Sequence, residues 1–365
     1  MPIKEQSFRI GCGRYLQGEG MLAKCGEEVC RLGNSPLIVG GATALSVSRD
    51  QIEKSVSDAC AHYKIYEYRG TCNDDDAKAL ASLAKNEGYD VIVGVGGGVI
   101  MDFSKLIGHF AALPVINVPT SSATCAAYTP LSVRYTADGR TVGSLHYERE
   151  VNAVIADTAV LSAQPTRLLL AGVFDALAKF VEIKHRFAEG ADNSDCPLGL
   201  DWAFVLSEYS YRELFAKVET CLGDMARGEV SDCIEKVTFT LIAATGVISG
   251  IARGSNQTAL AHKFYEVTRS LYPEESRAYL HGEIVGIGLL IQNDFNGERG
   301  ESDELLGLMK KYGMPHRLSD IGVAPTAETL EAYFAALKKS SAVLEGGDSA
   351  ESKLRASLEY LWELG

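Results

Sequence analysis

Short runs of β-forming residues alternate with stretches of helical periodicity over about the first 160 residues, and this alternation constrains the fold more than any other feature. Strand–helix–strand repetition at this spacing predicts a parallel sheet with helices on both faces. Residues 131–155 predict a hairpin that turns at Asp138-Gly139, followed by a further strand. The other predicted strands are residues 36–41, 64–68, 90–98 and 114–119, and the predicted helices are 51–63, 74–88 and 100–112.

Helical periodicity dominates the chain after about Pro165, and no convincing strand follows. A chain of 365 residues is too long for one ordinary core. We therefore predict an α/β domain over residues 1–162 and an all-helical domain over residues 163–365. A cleft between two such domains is a common place for a ligand site.

The net charge of −13 argues against nucleic acid and against an anionic membrane surface as partners, because both are bound through clustered Lys and Arg. The N-terminus lacks the apolar segment of a signal peptide, and the longest apolar runs are too short to span a bilayer. Nine scattered cysteines without a C-x-x-C pair argue against a disulfide framework and a cysteine zinc site. We expect reduced thiols and a cytoplasmic protein.

Glycines cluster where the third predicted strand meets its helix, in the run VIVGVGGGVIMDFSK. Glycines let the backbone approach a pyrophosphate closely, and a helix N-terminus offers free N–H groups. The usual G-x-G-x-x-G fingerprint fails by one residue, because Val99 stands at its last position. Asp102 and Lys105 follow one turn apart, so the stretch is either a dinucleotide phosphate site or a tight turn with a surface ion pair. The clustered glycines are Gly94, Gly96, Gly97 and Gly98.

The helical half contains two histidines and one aspartate in apolar surroundings: Asp175 in LLLAGVFDALAKF, His262 in QTALAHKFYE and His281 in AYLHGE. A lone histidine in such a place is usually a satisfied core residue. A buried carboxylate, however, needs a partner. Two imidazoles and one carboxylate would make a site with an open position on Zn²⁺, Fe²⁺ or Mn²⁺.

A hydroxyl-rich stretch, residues 118–135, follows the predicted strand 114–119 and contains Cys125. It is either a plain loop with a buried small cysteine or the wall of a cofactor and substrate pocket. A nucleophilic role for the thiol is disfavoured, because no histidine neighbours it in sequence.

These motifs, taken in order, resemble the iron-containing (group III) alcohol dehydrogenase superfamily and, within it, the glycerol dehydrogenase branch. The resemblance runs from IGCGRYLQGEGML near the start to KKYGMPHRLSDIG near residue 320. It implies a dehydroquinate synthase-like fold, with a dinucleotide-binding N-terminal domain and a helical, metal-binding C-terminal domain. It also implies a homo-oligomer, a dimer or larger.

The resemblance assigns roles to individual residues. Asp175, His262 and His281 match the metal ligands. Iron-type members carry another histidine one turn after the aspartate, where this chain has Lys179; the zinc-type arrangement therefore fits better, with Mn²⁺ and Fe²⁺ as alternatives. The residues that match cofactor contacts are Gly96, Gly97, Gly98, Val99, Asp102, Lys105, Thr120, Thr129, Leu131 and Tyr135.

Cys125 is the first departure from the glycerol dehydrogenases, which have an aspartate there to hold polyol hydroxyls. The stretch resembles the hydroxycarboxylate dehydrogenase (2-oxo acid reductase) relatives instead. An acidic residue would repel a substrate carboxylate, whereas neutral Cys125 and cationic Lys179 would tolerate it. We therefore predict a metal-dependent NAD(P)H oxidoreductase that interconverts 2-oxo acids and 2-hydroxy acids, with Lys179 and Cys125 lining the reacting site. The competing interpretation of Lys179 is a helix-surface lysine.

Two further departures concern the cofactor and the metal domain. Members that prefer NAD carry an acidic residue where this chain has Gly41, so a 2′-phosphate is not repelled and NADPH is favoured, with NADH tolerated. Thr43 and Ser46 could hydrogen-bond that phosphate. Ile284 replaces a lysine of the relatives.

Three alternatives remain open at this point. One is a glycerol or polyol dehydrogenase with a different diol anchor. Another is a sugar-phosphate cyclase of the dehydroquinate synthase type, which would need a Lys and Arg cluster that is not evident around the histidines. The third is a catalytically silent NAD-binding regulator, which would have no reason to keep Asp175, His262 and His281 together.

Overall fold

The computed structural model describes residues 8, 10–187, 198–252 and 258–364. The chain packs as two compact units. The first comprises Met1–Leu169 and Phe215–Gly250, and the second comprises Leu170–Leu214 and Ile251–Gly365.

A six-stranded parallel sheet forms the centre of the first unit, in the order β1-β8-β5-β4-β2-β3. Four of these strands, β2, β4, β5 and β8, are buried along their whole length, as expected for a parallel sheet covered on both faces. The strands of this sheet are β1 (Tyr15–Gly18), β2 (Pro36–Gly40), β3 (Lys64–Glu67), β4 (Val91–Gly96), β5 (Val115–Pro119) and β8 (Ala153–Asp157).

The helices of this unit pack on opposite faces of the sheet. Alternate residues of each strand face opposite sides, so that Val39 packs with the helices α3 and α4, whereas Ile38 packs with α1 and α2. These helices are α1 (Cys25–Cys30), α2 (Ala42–Ala59), α3 (Asp74–Glu87) and α4 (Gly98–Ala111), and the short α5 (Thr158–Ser162) follows β8.

The predicted hairpin is confirmed as a separate two-stranded antiparallel sheet of β6 (Leu131–Tyr135) and β7 (Thr141–His146), with Gly139 at a positive φ of 88° in the turn. Strand β1 was not predicted. It has only four residues, all half-buried, and shows neither an apolar run nor a clear alternation.

The second unit is helical, and its described residues contain no strand. The predicted fold class, an α/β part followed by a helical part, is therefore confirmed. Its helices are α6 (Thr166–Lys184), the first part of α7 (Leu198–Ala226), α10 (Leu260–Leu271), α11 (Pro273–Ser276), α12 (His281–Phe295), α13 (Arg299–Lys311), α14 (Ala327–Leu337), α15 (Ser341–Leu344) and α16 (Gly347–Glu363).

The segment Phe215–Gly250 packs with the first unit, whereas the predicted domains placed it with the helical half. It contains the end of α7, α8 (Asp232–Phe239), the π-helical turn Thr240–Ala244 and most of α9 (Thr245–Ile251). The Glu235 carboxylate accepts hydrogen bonds from Gln17 at 2.6 Å and from Thr158 at 2.7 Å. The predicted boundary at residue 162, as the limit of an independently folding domain, stays a prediction.

The continuous helical stretch Asp232–Ile251 is long and apolar enough to cross a membrane by length and composition alone. Two thirds of its most apolar window is buried inside the protein, which is equally typical of a core helix. This helix contains polar residues between its apolar ones, so it exceeds the length of any uninterrupted apolar run in the sequence.

Candidate metal centre and cofactor site

The two histidines and the aspartate predicted as metal ligands lie together within the second unit. Asp175 is on α6, His262 is on α10 and His281 is the first residue of α12. One ligand atom from each residue lies within 4.8 Å of the others. The Asp175 Oδ1 atom is 3.2 Å from His262 Nε2 and 3.4 Å from His281 Nε2. Two imidazole nitrogens and a carboxylate oxygen are a donor set that Zn²⁺ accepts, with a position left open.

Lys179 reaches the same point, four residues after Asp175 on α6. Its Nζ atom lies 3.2 Å from His262 Nε2 and 3.8 Å from Asp175 Oδ1. The lysine is only 6% exposed, so its interpretation as a helix-surface residue is wrong. The lysine therefore places its side-chain nitrogen beside two of the three proposed ligand atoms.

The Glu182 carboxylate, one turn beyond Lys179 on α6, holds the other side of the His262 ring. Its Oε2 atom lies 2.5 Å from His262 Nδ1, and its Oε1 atom accepts hydrogen bonds from the backbone N–H groups of Ala259 at 2.7 Å and His262 at 2.9 Å. This residue was not predicted from the sequence. The available signal was an acidic residue seven positions after Asp175, on the same face of an apolar helix.

Charges within the cluster shift the pKa values of its members. Burial alone would raise the pKa of Asp175, but Lys179 and His281 outweigh burial and hold that pKa well below its usual value. Burial lowers the pKa of His281. Burial would also lower the pKa of His262, but the Glu182 carboxylate outweighs it and raises that pKa. Glu182 likewise has a lowered pKa, because its contacts with His262 and with two backbone N–H groups outweigh its burial.

His281 is positioned by the local structure at the start of α12. The Glu283 side chain accepts a hydrogen bond from the backbone N–H of Leu280 at 2.7 Å, which closes the first turn. The ring of Tyr265 packs edge-on against the His281 ring, with 4.2 Å between centroids. Ile284, which replaces a lysine of the relatives, is fully buried on α12 and packs as a core residue.

The predicted cofactor glycines lie together within the first unit, at the carboxyl ends of neighbouring strands. Gly41 directly follows β2, Gly96 ends β4, and Thr120 directly follows β5. The helix after β2 and the helix after β4 cover opposite faces of the sheet. The strand pair β2–β4 is therefore a switch point, where open α/β sheets bind their ligands outside the strand ends.

The turn between β4 and α4 leaves room above its backbone. Gly97 is the N-cap of α4, and a Cβ atom there would meet nothing closer than Ser121 at 3.8 Å. Val99, in the first turn of α4, is 48% exposed. The helix α4 thus begins at the switch point with open space above Gly97, an arrangement suited to an anionic phosphate.

Asp102 and Lys105 are both buried and 2.9 Å apart, so the alternative of a surface ion pair is wrong. The Lys105 ammonium also donates to the carbonyl oxygens of Ala126, Thr129 and Leu131. The two side chains therefore bind the backbone of the hydroxyl-rich stretch to α4. Their direct contact with a cofactor stays a prediction.

The other residues predicted to contact the cofactor or substrate in the stretch 118–135 are buried or half-buried. Thr129 is buried, and Leu131 and Tyr135 are half-buried at the two ends of β6. The Cys125 thiol lies 3.9 Å from the Ser249 hydroxyl, and the Cys125 carbonyl oxygen accepts from the N–H of Tyr128 at 2.9 Å. Cys125 thus belongs to a tight turn in the first unit.

An α/β unit with a switch point and a helical unit with an Asp–His–His cluster are the features expected of the metal-dependent, nicotinamide-dependent dehydrogenases. Residues 12–158 match the sequence family described as iron-containing alcohol dehydrogenase. The chain is 30% identical to a glycerol dehydrogenase of Escherichia coli over 85% of this chain and 83% of the relative. It is 29% identical to hydroxycarboxylate dehydrogenase A of Escherichia coli K12 over 70% of this chain and 69% of the relative.

A solved structure of a probable glycerol dehydrogenase from Sinorhizobium meliloti shares the fold, with a TM-score of 0.82 over 99% of both chains at 21% identity. The chain belongs to the iron-containing alcohol dehydrogenase family, in its glycerol dehydrogenase branch. It is an oxidoreductase that acts on CH–OH groups, and the family implies NAD(P) and a divalent metal. The predicted family and enzyme class are confirmed.

Proposed function

We propose that this protein is a metal-dependent polyol dehydrogenase that oxidises a secondary hydroxyl of a small vicinal diol, such as glycerol, with NAD(P)⁺, and that it also catalyses the reverse reduction. The observation that carries the proposal is the convergence of Asp175, His262 and His281 within 4.8 Å. The name of the Escherichia coli glycerol dehydrogenase supports a polyol over the 2-oxo acid that the sequence alone favoured.

We assign the metal ligands to Asp175, His262 and His281, with Zn²⁺ as the ion that suits two imidazoles and a carboxylate. A bound ion would supply electrophilic stabilisation of a substrate oxygen, and a bound nicotinamide would supply the hydride chemistry. The single carboxylate of the ligand set cancels only one of two metal charges. The remaining positive charge would stabilise negative charge on a substrate oxygen.

The chain's own residues orient the proposed histidine ligands and place a charged group beside them. The Glu182 carboxylate and the Tyr265 ring fix the orientations of His262 and His281. Lys179 adds a buried cation beside the ligands, which favours an anionic oxygen in the same place. The turn at Gly97 and Gly98 is the proposed pyrophosphate site, and Gly41 leaves room for a 2′-phosphate, so we propose NADPH as the preferred cofactor with NADH accepted.

A second candidate reaction is the interconversion of 2-oxo acids and 2-hydroxy acids. The buried Lys179 ammonium favours it, because this cation could receive a substrate carboxylate as well as an alkoxide. The resemblance of the Cys125 stretch to hydroxycarboxylate dehydrogenases, which lack the diol-binding aspartate, also favours it.

The test is an assay of nicotinamide oxidation with Zn²⁺-loaded and Mn²⁺-loaded enzyme. NADH and NADPH are each combined with dihydroxyacetone, 2-oxobutyrate and 2-oxoglutarate. Turnover of dihydroxyacetone supports the polyol proposal, and turnover of the 2-oxo acids alone replaces it by the second candidate. Failure of all three substrates with both metal ions contradicts both reactions.

We also propose a cytoplasmic homo-oligomer of two or more subunits, each with an α/β cofactor domain and a helical metal domain. Light scattering coupled to gel filtration measures the mass in solution. A chain mass of 39.3 kDa at all protein concentrations would contradict the oligomer.

A further inference from the structure

One side of α6 carries three charged residues that all meet His262 or its neighbours. Asp175, Lys179 and Glu182 are spaced by four and three residues, so they lie on one face of the helix. Asp175 and Lys179 approach the Nε2 atom of His262, whereas Glu182 approaches the Nδ1 atom on the opposite side of the ring. The two ring nitrogens therefore have different surroundings.

The Glu182 carboxylate has no hydrogen to donate. Its Oε1 atom already accepts from two backbone N–H groups at the start of α10, and its Oε2 atom lies 2.5 Å from His262 Nδ1. An ionised carboxylate can only accept, so the Nδ1 atom must carry the proton. A neutral imidazole protonated at Nδ1 has its lone pair at Nε2.

The Nε2 atom faces both a donor and an acceptor. The Lys179 ammonium, which can only donate, lies 3.2 Å from Nε2. The Asp175 Oδ1 atom lies 3.2 Å from the same nitrogen and can only accept, so the Nδ1 side of the ring, which faces an acceptor alone, sets the tautomer. An imidazolium would satisfy Asp175, but it would direct its second N–H toward the Lys179 ammonium.

We propose that Glu182 is a positioning residue that selects the Nδ1-protonated tautomer of His262 and so leaves Nε2 free to bind the metal. The inference rests on the metal centre of the proposed function and deepens it. Groups that hold the far nitrogen of a metal-binding histidine fix its tautomer and orientation, and their loss typically lowers metal affinity by about 10–100-fold.

The substitution Glu182→Gln tests the tautomer and leaves the size of the side chain unchanged. If the amide oxygen takes the place of Oε1 and keeps the two backbone N–H bonds, the NH₂ group faces Nδ1. That group donates, so Nδ1 must become the acceptor and the imidazole proton moves to Nε2, where it blocks the metal. If the amide flips, its NH₂ group faces two backbone donors instead. We expect Glu182→Gln to lower Zn²⁺ affinity by about 10–100-fold.

Gln292 provides a matched control at the same helix end. Its Oε1 atom accepts from the backbone N–H of Leu260 at 2.7 Å, and the residue is fully buried on α12. Gln292→Met removes this acceptor from the start of α10 without touching a ligand. We expect the control to lower the unfolding temperature but to keep Zn²⁺ affinity within about threefold of the wild type. This change is much smaller than the loss of about 10–100-fold expected when a group that holds a metal ligand is removed. Glu182→Asp, which keeps a carboxylate, should retain part of the affinity.

The experiment measures Zn²⁺ affinity by competition with a chromophoric chelator for the wild type and these three variants. In parallel, ¹⁵N-histidine chemical shifts of the metal-free wild type at alkaline pH report the His262 tautomer, whether or not a variant folds. A protonated Nδ1 and a specific loss of affinity in Glu182→Gln are the expected results. A protonated Nε2, or equal Zn²⁺ affinity in Glu182→Gln and the wild type, would overturn the role of Glu182. Wild-type protein that binds no Zn²⁺ would instead refute the metal centre itself.

Discussion

Gly282 and Ala171 meet backbone to backbone, because a Cβ atom on Gly282 would lie only 1.7 Å from the carbonyl oxygen of Ala171. This contact brings the first turn of α12 against α6. His281, the neighbour of Gly282, is thereby placed with its Nε2 atom 3.4 Å from the Asp175 carboxylate of α6. The glycine in the sequence HGE is therefore part of the reason that the metal ligands converge.

We expect Gly282→Ala to separate α12 from α6 and to weaken Zn²⁺ binding together with stability. Overpacking of this kind costs about 1–3 kcal/mol or more. Gly307→Ala on α13 is the control, because a Cβ atom there meets nothing within 4 Å. An exposed helical glycine replaced by alanine should add ~0.5–1 kcal/mol. Thermal unfolding and Zn²⁺ titration check both variants; unchanged Zn²⁺ affinity in Gly282→Ala would contradict this account.

The glycines at the end of β4 should separate cofactor binding from folding. The space above Gly97 is open, so Gly97→Ala should fold normally but weaken NADPH binding by about tenfold, or ~1.4 kcal/mol, because its methyl group fills the proposed phosphate site. Gly94→Ala is the contrast, since its Cβ atom would lie 2.4 Å from Ser104 Oγ and should cost ~1–3 kcal/mol of stability. Fluorescence titration with NADPH and thermal unfolding measure the two effects. Wild-type NADPH affinity in Gly97→Ala would move the phosphate site elsewhere.

The position of Gly41 allows a direct test of cofactor preference. Its φ of −75° and ψ of 151° are ordinary for any residue, and the nearest atom to an added Cβ lies 3.8 Å away. Gly41→Asp should therefore fold normally while its carboxylate repels a 2′-phosphate. We expect the ratio of kcat/KM for NADPH over NADH to fall by about tenfold or more, equal to ~1.4 kcal/mol. An unchanged ratio would mean that β2 does not face the adenosine ribose.

Lys179 should compete with the metal ion, because its ammonium lies 3.2 Å from the nitrogen that we assign as a ligand and adds a like charge. We expect Lys179→Met, whose side chain has a similar length, to bind Zn²⁺ about tenfold more tightly, equal to ~1.4 kcal/mol. Lys179→Arg keeps the charge and should not show this gain. Weaker Zn²⁺ binding in Lys179→Met would indicate that the lysine supports the ion instead.

The Asp76 carboxylate gives a stability effect at acid pH that is independent of the metal centre. Hydrogen bonds from Tyr68 at 2.7 Å and Asn73 at 2.8 Å lower its pKa. A carboxylate with a lowered folded pKa stabilises the protein above its unfolded pKa, about 3.9, and loses that contribution as the pH falls through the folded pKa. We expect Asp76→Asn to lower the urea midpoint at neutral pH and to reduce its decline below pH ~4. Parallel pH profiles for variant and wild type would exclude this contribution.

The regular parts of the fold could be predicted from the sequence because strand runs and helical periodicities are local. Packing partners are not local. The periodicity of residues 232–251 shows a helix but does not tell which core it joins, and the structure places it with the sheet. The half-buried strand β1 has no pattern of its own and is held in place by β8.

The candidate site was predictable where the residue type alone carries the chemistry. Asp175, His262 and His281 are unusual in apolar helices, so they stood out without a structure. Glu182 did not, and Lys179 was singled out only through the family resemblance, because a single lysine or glutamate on a helix is usually a surface residue. Their burial beside His262 depends on the docking of α10 against α6, which no local pattern records.

The most direct test of the central claim is removal and return of the metal in the wild-type enzyme and in His281→Ala. Prolonged dialysis against a chelator, followed by Zn²⁺, should abolish and then restore NAD(P)H-dependent turnover of the wild type. His281→Ala should fold normally and remain inactive with added Zn²⁺, because it lacks one of three ligands. Turnover by the metal-free wild type, or by metal-free His281→Ala, would contradict the metal-dependent mechanism.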